Sequence, residues 1–200
     1  GLDTLQLAAA LGIAGTQAAG VREVFGTDTK ALHPAKAAAS GLQAALLAQA
    51  GFTGPEDIIG GRRGFWAVLS PNGHNEKGLL DDLGSRWELY NNGLKPYANG
   101  VVAHPLQDAA INLRSLHRLD PKIVTRVWAR VHPLVLELID RPQPQRGLEG
   151  KFSYQHCVAV ALIDGAGHNA QFTDARVNDP EVATLRSRVS AVVDASLRED

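Results

Sequence analysis

Two short clusters stand out, one with residue types suited to binding an anion and one that reads as an ordered loop able to carry a site. The first, Thr27-Asp28-Thr29-Lys30-Ala31-Leu32-His33-Pro34, sets a lysine and a histidine just ahead of a helix that Pro34 is expected to open. A helix start presents free N–H groups and positive potential, so it suits an anion. Lys30 would add a point charge there. The second cluster runs from Asn91 to His104, with Lys95 between Gly93, Pro96 and Tyr97, and His104 at the start of the next helix. It is too irregular for a core element and too apolar for a mobile tail, and ordered loops of this kind often carry sites. Residue types alone leave a bland alternative for each: a solvated Lys30 with a capping His33, and a structural loop with Tyr97 packed and Lys95 in water.

Other motifs fail on context. Gly165-Ala166-Gly167-His168-Asn169-Ala170 has the form G-x-G-x-x-A. A dinucleotide site needs a strand before it and a long helix after it, whereas here a helical run precedes it and Pro180 cuts off any long helix from Ala170. A nicotinamide-dependent oxidoreductase would rest on this motif alone. The chain has no phosphate-binding loop of the G-x-x-x-x-G-K type, no H-E-x-x-H and no G-x-S-x-G. The seven histidines are scattered without metal-ligand spacing. His33, His104 and His132 each precede a proline, a pattern that marks the first turn of a helix. Cys157, the single cysteine, excludes an internal disulfide framework and reads as a small core residue.

The elements that must hold these clusters can be read from periodicity. Asp3–Gly20 reads as a buried helix, capped by Asp3 or Thr4, whose small residues let neighbours approach closely. A second helix is expected from Pro34 to about Ala50, stopped by Gly51, and a short third one after Gly54-Pro55. After Ser70 the texture changes. Arg86 to Tyr90 suits a short strand, Pro105 to Leu116 a helix, and Ile123 to Val131 a half-exposed antiparallel strand. Phe152 to Ile163 reads as a buried helix, Pro180 opens another, and Ala191 to Leu197 suits a last strand. The fold class is therefore mainly α with an α+β part and a small antiparallel sheet. The boundary falls near Asn72–Arg86, which divides the chain into residues 1–80 and 81–200.

Composition bounds the function classes. The 200 residues carry 20 basic and 21 acidic side chains, net charge -1, and the two signs nearly balance within each half, 8 against 9 and then 12 against 12. No basic patch exists for nucleic acid or an anionic membrane. No apolar run is long enough to span a membrane, and Leu5–Ala19 lacks the basic flank of a signal peptide. A cytoplasmic protein is expected. The chain has no methionine, even at position 1, which points to a piece of a longer protein.

Four blocks, "ALGIAGTQAAG", "TKALHPAKAAASGLQAALLAQAGFTGP", "LKPYANGVVAHPLQDAA" and "GKFSYQHCVAVALIDG", resemble, in the same order, the MmgE/PrpD family. That family includes 2-methylcitrate dehydratase, cis-aconitate decarboxylase and iminodisuccinate epimerase. The resemblance covers nearly the whole chain. It implies part of an all-helical bundle domain followed by an α+β lid domain, acting on small polycarboxylates without a metal or other cofactor, as a homodimer. Lys30 matches the lysine of the family's "TK-x-LH" segment, with Thr29 and His33 beside it. Lys95 matches the lysine of its "KPYxxG" or "KxFPAH" segment, and His104 a histidine of "HP-x-x-DA". Gly100 falls where decarboxylase-like members place a catalytic histidine, and His156 where they place a tyrosine. Both departures argue against cis-aconitate decarboxylation as the specific activity.

On this reading Lys95, Lys30 and His104 are the catalytic candidates, and Thr29, His33, Tyr97 and His156 the substrate-binding ones. Removing a proton α to a carboxylate needs a base and a means of holding the enolate-like charge, which lysines supply. Lys95 is the expected acid/base and Lys30 the carboxylate anchor, brought together at a cleft between domains. Dehydration is favoured because the family's namesake performs it. The alternative is a non-catalytic remnant, a carboxylate-binding or dimerisation module with an incomplete site.

Overall fold

A computed structural model of the chain describes residues 1–70 and 72–197, which form two compact units. The first comprises Gly1–Glu23 and Thr29–Asn92, and the second Val24–Asp28 and Gly93–Asp200.

In the first unit, α1 (Thr4–Gly15) starts with a reciprocal cap: the Asp3 carboxylate accepts from Gln6 N at 2.8 Å, and the Gln6 side chain accepts from Asp3 N at 3.0 Å. It packs against α2 (Thr29–Gln49) along a seam of small residues. Ala10 and Gly12 are buried on α1, and Ser40, Ala44 and Ala48 on α2, at helical spacing. The buried helix expected over Asp3–Gly20 is thus shorter and one-sided, with Leu5, Leu7 and Leu11 exposed. The second helix begins at Thr29 rather than Pro34, so Pro34 lies inside it and cannot donate to the carbonyl of Lys30. Two short helices come next, α3 (Phe65–Leu69) and α4 (Glu76–Leu80). The strand expected over Arg86–Tyr90 is instead a 3₁₀ turn, Glu88–Asn91. Glu88 pairs with Arg86 at 2.7 Å and accepts from Asn91 Nδ2 at 2.9 Å, local bonds that favour a tight turn over an extended chain.

The second unit is built around α8. Its helices are α5 (His104–His117), α6 (Pro133–Ile139), α7 (Gly147–Gly150), α8 (Tyr154–Asp164), α9 (Asp174–Val177) and α10 (Pro180–Arg186). Every residue of α8 from Tyr154 to Leu162 is buried. The Ser153 hydroxyl caps its start by accepting from His156 N at 3.1 Å, and Gly165 ends it in the left-handed region at φ 66°. Helices α5 and α10 pack on α8, and their Ala110, Val182 and Leu185 join its Val158 and Leu162 in one core. His132 caps α6 through Nδ1, which accepts from Leu134 N at 3.2 Å, as its His-Pro pair implied. The segment Val24–Asp28 belongs here because the Phe25 carbonyl accepts from Arg141 at 2.6 Å and its ring lies 5.7 Å from that of Phe152.

The sheet corrects an expectation. Strands β1 (Val127–Val131) and β2 (Val189–Val193) run parallel, not antiparallel, with Val127 opposite Val189 and Val131 opposite Val193. Helices α6 to α10 lie between them in the chain, and such a crossover is the connection parallel strands require. β1 is shorter than Ile123–Val131, since Pro121–Ile123 forms a 3₁₀ turn and Ile123 is exposed. β2 lies earlier than Ala191–Leu197. Asp194 ends it by accepting from Ser196 N at 3.0 Å and Ser196 Oγ at 2.7 Å. Among the described residues no helix is long and apolar enough to cross a membrane.

Candidate functional site

The second sequence cluster forms a compact polar group inside the second unit. A 3₁₀ turn, Val101–Ala103, leads into α5, with Pro105 in its first turn. Helical spacing then sets His104, Gln107 and Asp108 on one face. The loop before it is tied down at two peptide groups. Ala98 N donates to the Gly167 carbonyl at 2.9 Å, and Gly100 N to the Lys151 carbonyl at 3.4 Å.

These ties bring Lys95, Tyr97, Asn99 and His104 together. The Lys95 ammonium lies 3.3 Å from the Asn99 carbonyl. The Tyr97 ring stands edge-on to His104 at 5.3 Å, and its hydroxyl donates to Asp108. Asn99 Nδ2 donates to Gln107 Oε1 at 2.6 Å and reaches Cys157 Sγ on α8 at 2.8 Å. Three buried side-chain atoms of the group have no hydrogen-bond partner: Asn99 Oδ1, His104 Nε2 and Gln107 Nε2.

The surroundings set the protonation states. Burial lowers the His104 pKa, hydrogen bonding to the Asn99 backbone opposes that, and the Lys95 charge lowers it further. His104 is therefore a neutral imidazole near neutral pH. Burial, then the hydrogen bond to Asp108 and its charge, push Tyr97 up to about 12. Burial raises Cys157 to about 12, which leaves a protonated thiol, as its core reading implied.

Gly165 and Gly167 acquire a structural explanation. Helix α8, not a strand, precedes them, and a 3₁₀ turn, Asn169–Phe172, comes after. Gly165 is the left-handed end of α8. A Cβ at Gly167 would lie 2.3 Å from Gln107 Nε2 and 2.8 Å from the Tyr97 ring. That glycine makes room for the polar group rather than for a pyrophosphate.

The remaining candidates lie elsewhere. Thr29 and Lys30 are exposed in the first turn of α2, with half-buried His33 one turn on, so these three share the first unit. His156 is fully buried in α8, with Nε2 2.8 Å from the Gln171 carbonyl and its ring against Phe172 at 5.6 Å. Burial depresses its pKa to about 4. An apolar cleft of about 540 Å³, lined by Leu106, Leu113, Trp128, Val158 and Leu162 among others, holds none of the candidate residues. No group of three His, Cys, Asp or Glu among the described residues could hold a metal ion. Sequence reasoning missed Asn99, Gln107 and Asp108 as site members. The last two stand three and four positions after His104, and that helical spacing was the available signal.

A helical first unit and a second unit with a lysine–histidine group at a helix start define a class that family models identify. The MmgE/PrpD N-terminal domain matches residues 1–77 and the MmgE/PrpD C-terminal domain matches residues 97–200. The chain belongs to the MmgE/PrpD family. It is 28% identical over 196 residues to cis-aconitate decarboxylase of Homo sapiens, and 27% identical over 194 residues to that of Mus musculus. Each match covers 94% of this chain and 40% of the relative, so the chain spans less than half the length of these curated relatives.

Proposed function

We propose that the chain serves a lyase or isomerase that removes a proton α to a carboxylate of a small di- or tricarboxylate. One observation carries the reading: the Lys95 ammonium lies 3.3 Å from the Asn99 carbonyl, in the same loop-and-helix-start group as the His104 imidazole, which stands edge-on to the Tyr97 ring at 5.3 Å. A cation and a neutral imidazole in one group suit a reaction that builds negative charge while a proton moves. Lys95 is the acid/base, His104 assists it, and Lys30 anchors a carboxylate. Thr29, His33 and Tyr97 contribute to substrate binding, whereas His156, fully buried in α8, has no direct contact with substrate. Within this class dehydration of a 2-methylcitrate-like hydroxy acid is favoured over decarboxylation, the activity named for the two relatives, because Gly100 has no side chain to supply. The reading includes a homodimer, a cytoplasmic setting and no metal.

The test is a proton NMR series in D₂O with citrate, 2-methylcitrate, cis-aconitate and iminodisuccinate. Loss of an α-proton signal, or a new vinyl signal, supports the reading and names the substrate. Lys95→Ala must then abolish turnover, and near wild-type kcat in that variant rejects its role. Gly100 also favours a second reading, a carboxylate-binding module without turnover. Ligand line broadening with no proton exchange in a well-dispersed protein selects it.

A further inference from the structure

Helix α5 presents two different faces. His104, Gln107 and Asp108 belong to the polar group, whereas Leu106, Ala109, Ala110 and Leu113 recur at i, i+3, i+4 and i+7 and line the apolar cleft of about 540 Å³. The hollow exists because small residues stand where close packing would place large ones. Ala109 and Ala110 on α5 and Ala129 on β1 turn only methyl groups toward a space that longer side chains would fill. Tyr154, Val158 and Leu162, one turn apart on α8, complete the wall. The β1 end is held where Arg188 Nη1 donates to the Val124 carbonyl at 2.6 Å. The cleft is thus built on core elements, as a preformed ligand site is.

Its rim leaves large apolar side chains in water. Leu113 is 50%, Trp128 52% and Ile123 71% exposed. Apolar side chains gathered around one hollow mark a binding surface rather than ordinary scattered exposure.

Charge indicates what fills it. Arg126 is the one charged side chain among the described residues that line the cleft, and no acid lines it. No described carboxylate pairs with Arg126 either. We propose that the cleft binds a medium-chain alkyl monocarboxylate, with its tail between α5 and α8 and its carboxylate on the Arg126 guanidinium. A planar guanidinium takes a carboxylate through two parallel N–H bonds. Leu106 and Leu113 stand two helical turns apart, about 10 Å at 1.5 Å per residue, a span that suits an extended tail rather than a compact ring. A small polycarboxylate has no tail to bury and would lose hydration against these walls, so this site is independent of the lysine–histidine group.

The experiment titrates sodium decanoate, below its micellar concentration, into the chain by calorimetry and follows the Trp128 indole N–H by NMR. Saturable binding is expected, with the Trp128 signal moving at the same Kd. 1-Decanol should bind more weakly, and decylammonium more weakly still. Arg126→Gln should weaken decanoate by about fivefold and leave 1-decanol unchanged. Ala109→Phe fills the hollow from an exposed position of α5 and should abolish binding of both. If that variant does not fold, the Arg126→Gln comparison decides alone. Absence of saturable binding, equal decanoate affinity in Arg126→Gln, or tighter binding of decylammonium overturns the proposal. A second copy seated in the cleft overturns it too: the chain would sediment as a dimer, and the Trp128 signal would respond to dilution instead of decanoate.

Discussion

Tyr97 donates its hydroxyl to Asp108, joining the irregular loop to the second turn of α5. Burial and the neighbouring carboxylate both resist ionisation of the phenol, which titrates at about 12. Asp108→Asn removes the negative charge, so the Tyr97 pKa should fall while burial keeps it above the ordinary value of about 10. An NMR pH titration of the Tyr97 ring in both proteins checks this. An unchanged or higher value in the variant refutes the pairing.

His156 makes stability depend on pH in a defined window. The folded chain keeps this ring neutral down to about 4, whereas an unfolded histidine binds its proton near 6.5. Above pH 6.5 both states are neutral and the full stability is present. Between 6.5 and 4 only the unfolded state gains the proton, so stability falls with falling pH, by about 3 kcal/mol in all. His104 acts in the same direction. His156→Phe loses the bond to Gln171, so it should be less stable at pH 7 but flatter between pH 6.5 and 4. Denaturant midpoints across that range decide the matter, and equal slopes in both proteins exclude His156 as the cause.

Two glycines of the second unit should respond oppositely to a methyl group. At Gly147 a Cβ would stand 1.9 Å from the Phe172 carbonyl oxygen, and backbone must move to admit it. Gly147→Ala should cost about 3 kcal/mol or more. At Gly100 the nearest atom is Ile139 Cγ2 at 3.5 Å, and φ is -66°. Gly100→Ala should be neutral or stabilising by about 0.5 kcal/mol, through a less flexible unfolded chain. Thermal melts of the pair test both values.

Arg176 ties the end of α8 to α9 and α10. Its Nε lies 3.2 Å from Asp164 Oδ2, and its Nη1 2.7 Å from Asp179 Oδ2, the residue that caps α10. The Arg176 and Asp164 side chains are 21% exposed, so water screens them only in part. Arg176→Ala should cost about 1–3 kcal/mol, more than a surface pair would. Lys77→Ala, which removes an exposed pair with Asp81, should cost less than about 0.5 kcal/mol. Comparable losses from the two changes would contradict the burial argument.

Much of the helical framework was legible because its signals are local. The Asp3 cap, the His132-Pro133 and Pro180 helix starts and the apolar run of α8 depend on neighbours within a turn. Two readings failed where a local signal met a partner it could not specify. Alternation over Ile123–Val131 announced a strand, but its direction depended on β2, placed by helices much later in the chain. Trp87, Leu89 and Tyr90 suggested a strand, yet no described strand lies there to pair with them.

The candidate site divides in the same way. The sequence alone determined which side-chain types stand where, and so which residues are candidates for chemistry. Lys30, Lys95 and His104 stand in blocks whose order marks the MmgE/PrpD family, and their types already suit an anionic substrate. Only the tertiary structure decided what surrounds them. Asn99, Gln107 and Cys157 meet because a loop, the start of α5 and the middle of α8 converge, and Gly167 is small enough to let them. Side-chain type is written residue by residue. Burial and the direction of a carbonyl depend on atoms far away in sequence, and exist only once the chain has folded.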